Sequence, residues 1–75
     1  MEKIAGMSPD EFKQALRTLG VTQEEFGVLV GAKLRTVVYW AGVAVPGPVA
    51  TLVTILLRRP ELLDVVRDFS KERRG

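Results

Sequence analysis

The 75-residue chain contains no cysteine and no histidine. Without cysteine there is no disulfide framework, no zinc ribbon and no thiol nucleophile, and without histidine the commonest general base and metal ligand is missing. Serine occurs only at Ser8 and Ser70, there is no glycine-rich phosphate loop, and no carboxylate pair falls in a segment that reads as buried. The sequence therefore predicts no enzyme, no metal site and no cofactor. Aromatic residues are few, at 7%, and the net charge is only +2. Length allows one domain, because chains usually need about 100 residues or more per domain before splitting.

Apolar residues are what the chain has in excess. They make up 47% of it and raise the mean hydropathy to +0.14, high for a chain that buries only roughly 60 to 65% of its extended surface. Part of that surface is expected to meet a partner. The run 36–57 is 22 residues without a charge, long enough to cross a bilayer at about 20 residues per crossing. Pro46, Gly47 and Pro48 interrupt it, however, so no continuous spanning helix is expected. Residues 1–6 lack the apolar stretch of a signal peptide, and Met7 is a second candidate start. The expected location is the cytoplasm, with no membrane as partner.

Periodicity and capping predict five short helices. Ser8, Pro9 and Glu11 mark a start, Phe12, Ala15, Leu16 and Leu19 recur on one face, and Gly20 stops a helix over 9–19. Thr22 and Glu25 repeat the capping signature for a two-turn helix with Phe26, Leu29 and Val30 inward, ending at Gly31. A third helix is expected over 33–41, although Thr36, Val37 and Val38 make strand the competing reading. Pro48 opens a fourth helix, apolar on most of its circumference through Val49, Leu52, Val53, Ile55, Leu56 and Leu57. Such a helix is expected at the core centre or in a subunit interface. After Pro60, Leu62, Leu63, Val66 and Phe69 form the inward stripe of a fifth. Residues 1–7 are expected to be a flexible N-terminus, 8–69 the folded domain and 70–75 a basic tail.

Charge is unevenly distributed. Residues 26–60 hold Lys33, Arg35, Arg58 and Arg59 and no acid, a local +4 suited to a phosphate backbone. Within this region, Gln23, Phe26, Gly27, Gly31, Val37 and Trp40 have the spacing of two short helices joined by a turn of about three or four residues. Gly27 lets the helices approach, Gly31 permits the turn, and Val37 and Trp40 anchor the second helix.

These positions, with Thr36 and Gly42, match in register the helix-turn-helix domains of the Cro and lambda-type repressor superfamily. The stretch GVTQEEFGVLVGAKLRTVVYWAG over 20–42 therefore resembles the Xre-like regulators. The segments VPGPVA at 45–50 and RRPELL at 58–63 are similar to the part that follows the motif in small bacterial and phage members, and the resemblance covers roughly 8–64. It implies an all-α, compact five-helix domain, with the motif over 22–41. It further implies that the third helix enters the major groove of double-stranded DNA and that the protein is a homodimeric repressor on an inverted repeat. A phage or antitoxin-like setting, with a cognate toxin as possible partner, is also what the family implies.

Carried over by position, the DNA-contacting residues are Thr22, Gln23, Lys33, Leu34, Arg35, Thr36, Val38 and Tyr39. Arg35 is the expected base reader, since its fork donates two bonds to guanine, and Lys33 a phosphate contact. Phe26, Gly27, Gly31, Val37 and Trp40 form the motif core. Leu57, Leu63 and Val65 are the expected dimer contact. The chain departs from the family at Lys33, where a Ser or Thr cap is common, at Leu34 and Val38, where polar readers are usual, and at Ala41, which replaces an acid. Val43, Ala44 and Val45 stand where many relatives are basic. An apolar third helix suits either thymine methyl groups or, as the alternative function, a protein-docking surface made of Leu34, Val38, Tyr39 and Val43.

Overall fold

In a computed structural model, which describes residues 6–74, the chain folds as five α-helices with no strand among the described residues. They are α1 (Pro9–Leu19), α2 (Gln23–Val30), α3 (Leu34–Gly42), α4 (Gly47–Arg58) and α5 (Leu62–Arg74). The competing strand reading of 36–38 is thus replaced by helix. β-branched side chains accept it here because Val37 and Ala41, one turn apart, fall on a single buried face.

The first two helices are closed by their own side chains. The Ser8 hydroxyl accepts from the Glu11 amide while Glu11 Oε1 accepts from the Ser8 amide, and Thr22 and Glu25 repeat this at α2. Gly20 and Gly31 terminate α1 and α2 with φ of 78°, a left-handed conformation that costs glycine nothing.

The core joins Phe12, Ala15 and Leu16 of α1 to Phe26 and Leu29 of α2, Val37 and Ala41 of α3, Val53 and Leu56 of α4, and Leu63 of α5. At its centre Phe12, Phe26 and Trp40 meet edge to face in all three pairs, with ring centroids 5.5, 6.3 and 6.4 Å apart. Each such pair adds about 0.5 to 1.5 kcal/mol beyond area burial. Because the rings come from α1, α2 and α3, they fix how α3 lies across the first two helices.

The uncharged run folds as two helices, α3 and α4, bent by 87° at the intervening loop, and no single helix among the described residues is long and apolar enough to cross a membrane. Helix α4 buries Ala50, Val53 and Leu56 but leaves Ile55 and Leu57 exposed, so it is covered from one side only.

The C-terminal region departs from expectation at two points. The helix continues through Ser70 to Arg74, where a basic tail was expected from residue 70, and Gly75 lies outside the described residues. The inner position belongs to Ser70, 2% exposed, whose hydroxyl donates to the Val28 carbonyl at 2.9 Å and ties α5 to α2. Phe69, expected inward, is one step off that face and 60% exposed. At the other end, residues 1–5 of the expected flexible N-terminus lie outside the described residues, but Met7 packs against the core.

Candidate nucleic-acid interface

Helix α2, the turn at 31–33 and helix α3 form one unit. The turn folds back on α2 through the Ala32 amide, which donates to the Gly27 carbonyl at 2.8 Å. A Cβ at Gly27 would stand 2.7 Å from the Ala32 carbonyl oxygen and 3.3 Å from Val37 Cγ2. The backbone of the turn occupies the space of a side chain, so any residue larger than glycine here must displace the turn.

Helix α3 turns Val37, Ala41 and part of Trp40 toward the core. At 100° per residue the opposite side carries Arg35 near its middle, with Leu34 and Val38 along one flank and Tyr39 and Val43 along the other. Leu34, Val38 and Tyr39 are 47%, 51% and 54% exposed. Thr36 and Lys33 are exposed beside them.

The start of α3 differs from that of the other motif helix. Lys33 occupies the N-cap with extended backbone, no side chain accepts from the amides of the first turn, and that turn has no acid. Lys33, Arg35 and Arg58 have no ion-pair partner among the described residues, whereas Arg59 lies 3.9 Å from Glu61 in an exposed pair. Positive side chains thus stand at the positive end of a helix dipole, which is unfavourable for the isolated domain and favourable for an anion placed there.

Thr22 and Gln23 line a groove of about 180 Å³ together with Lys13, Leu16, Arg17 and Val21. The Thr22 oxygen is occupied as a cap acceptor, leaving its hydroxyl proton available to a further acceptor. The Lys13 and Arg17 cations were not among the expected site residues. Lys13 sits 3.6 Å from Asp10, and that neighbouring acid masks the pair in a count of charge along the chain. Their i, i+4 spacing on the outward face of α1 is the signal that finds them.

The three expected dimer residues do not share a surface. Leu63 is 8% exposed and belongs to the core. Leu57 borders a groove beside α1, with Ala15 and Thr18. Val65 lies with Phe69 on an apolar groove of about 400 Å³ between α2, α4 and α5, lined by Leu29, Val30, Leu52 and Val66. In the sequence Leu63 takes two roles, in the apolar stripe of the fifth helix and in the dimer contact, because an all-apolar stripe hides which of its members touches the neighbouring helix.

Compared with known proteins, the chain matches no family model, no curated protein and no solved structure.

Proposed function

We propose that this chain is a sequence-specific DNA-binding regulator of the Xre-like type, a cytoplasmic homodimeric repressor that lays α3 in the major groove of an inverted repeat. The observation that carries this reading is the outer side of α3: two cations, Lys33 and Arg35, without an ion-pair partner among the described residues, at a helix start with no side-chain cap and no acid in its first turn. Phosphate supplies the acceptors and negative charge such a start lacks. Arg35 reads guanine, Lys33 and Thr36 hold the backbone beside α3, and Thr22, Gln23, Lys13 and Arg17 hold it at the start of α2. A second copy, seated on the apolar groove that includes Val65, doubles the contacted length and accounts for surface that one domain leaves uncovered.

Selection from a random duplex library, followed by salt titration, tests the reading. An inverted repeat should be enriched, and log affinity should fall by about 0.9 per log unit of salt for each phosphate neutralised. Arg35→Ala should cost about 1 to 3 kcal/mol on the selected site and relax selectivity at one base pair. Flat salt dependence, or no enrichment, refutes DNA as the partner.

A second reading is favoured by the exposed Leu34, Val38, Tyr39 and Val43, which would form the docking patch of a protein-interaction module. It requires binding that is insensitive to salt and lost on Leu34→Ala.

A further inference from the structure

Resting on the DNA-binding reading, the geometry points to Leu34 and Val38 as readers of thymine 5-methyl groups, so that the chosen half-site carries two thymines close to the guanine met by Arg35. The argument begins with what the flank of α3 offers. Leu34 and Val38 are one turn apart on one flank, both about half exposed, with no described polar group bonded to them. In the major groove every base edge offers hydrogen-bonding groups, and thymine alone adds a methyl. An aliphatic side chain set against adenine, guanine or cytosine edges would strip water from polar atoms without replacing their bonds. Against a thymine methyl it removes apolar surface from water on both sides.

Two features favour DNA over a protein surface for this same patch. The first is the position of Arg35, near the middle of the outward side with the aliphatic pair on one flank and Tyr39 on the other. The major groove presents guanine O6 and N7 to accept both arms of an arginine, whereas a protein surface laid on the aliphatic flank would have to supply a matched pair of buried acceptors at the same place. The second is Gly42, one turn beyond Val38. A Cβ built there meets nothing within 4 Å, and its φ is not in the left-handed range, so the fold itself does not require glycine at this place. Its bare backbone keeps the outer side low and lets the helix lie close to the groove floor.

The spacing is compatible with base pairs. One helical turn advances 5.4 Å and one base pair 3.4 Å, so Leu34 and Val38 reach methyl groups about one or two base pairs apart.

The test uses the full chain and the duplex returned by selection. Each thymine is replaced in turn by deoxyuridine, which removes only the methyl, and affinity is read by fluorescence anisotropy at fixed salt. Deoxyuridine at each of two positions should weaken binding about fourfold, the effect of losing one methyl-sized apolar burial. In Leu34→Ala one of these positions should become indifferent to the methyl, and in Val38→Ala the other. Both side chains are half exposed, and thermal melting of each variant verifies that the fold is kept. Selective DNA binding in which every deoxyuridine is tolerated overturns methyl reading and leaves the DNA-binding reading standing. Failure to enrich any duplex overturns both, and a Leu34→Ala effect confined to binding of another protein assigns the flank to that partner instead.

Discussion

Helices α2 and α3 are nearly the same length, eight and nine residues, and both are held by buried side chains on one face, yet their ends are built in opposite ways. Helix α2 starts in a reciprocal Thr22–Glu25 box, carries Glu24 and Glu25 toward its positive end, and stops at a left-handed Gly31. Helix α3 starts at Lys33 with no capping side chain and no acid, and ends at Val43 without a left-handed residue. The amide that a side chain caps at α2, that of Glu25, has its counterpart in the Thr36 amide of α3, which donates only to the Lys33 carbonyl at 2.9 Å, so no side chain closes the α3 start. Packing through Val37, Ala41 and Trp40 holds α3 without a side-chain cap, and on the DNA-binding proposal that uncapped start is where an anionic partner docks. In a domain this small, leaving a lysine at a helix N-terminus costs about 0.3 to 1 kcal/mol, a cost that an anionic partner reverses.

The largest way to break the comparison is to remove the packing on which α3 depends. Phe26 is buried and forms edge-to-face pairs with Phe12 and Trp40, so Phe26→Ala should destabilise the domain by about 3 to 5 kcal/mol. That approaches the whole stability expected of a small domain, and denaturant unfolding should show a collapsed midpoint. A loss under about 1 kcal/mol would mean that α3 has some support besides the ring cluster. Gly27→Ala comes next. A Cβ 2.7 Å from the Ala32 carbonyl forces the turn outward, and overpacking of this kind costs about 1 to 3 kcal/mol. Binding should fall with stability, because the same displacement tilts α3. A variant as stable as the parent would show that the turn yields without strain.

Much of this architecture is legible in the residues, and the reasons differ from place to place. The bounds of α1 can be read because Ser8, Pro9, Glu11 and Gly20 each act locally, within one turn of the backbone they cap. The same holds for Thr22, Glu25 and Gly31 at α2. The end of the domain could not be read that way. Whether Phe69 or Ser70 faces inward depends on the Val28 carbonyl, 42 residues earlier in the chain, which accepts the Ser70 hydroxyl. The outward side of α3 was legible because Val37 and Trp40 set its phase. Lys13 and Arg17 were not, since their place beside Thr22 and Gln23 follows from how α1 meets α2. Likewise Leu63 and Leu57 read alike as apolar residues, and only helix packing sends one to the core and the other to the surface.

The smallest expected effect is also the sharpest test of what separates the two helices. Thr22→Ala removes a cap that α2 uses, and should cost about 1 kcal/mol. Lys33→Ser does the reverse at α3. The N-cap backbone is already extended, with φ of −76° and ψ of 153°, so a serine hydroxyl can accept from a first-turn amide without rearrangement, adding a side-chain cap to a turn whose Thr36 amide now bonds only the Lys33 carbonyl. The domain should become more stable by about 0.5 to 1 kcal/mol, read as a raised denaturant midpoint with unchanged slope. On the selected duplex the same change should weaken binding and lower the salt slope by about 0.9, because one cation fewer meets a phosphate. Opposite signs for stability and affinity identify Lys33 as a residue kept for its ligand at the expense of the helix. If both quantities rise, the open start of α3 is a mere lapse in capping, and the contrast with α2 loses its functional meaning.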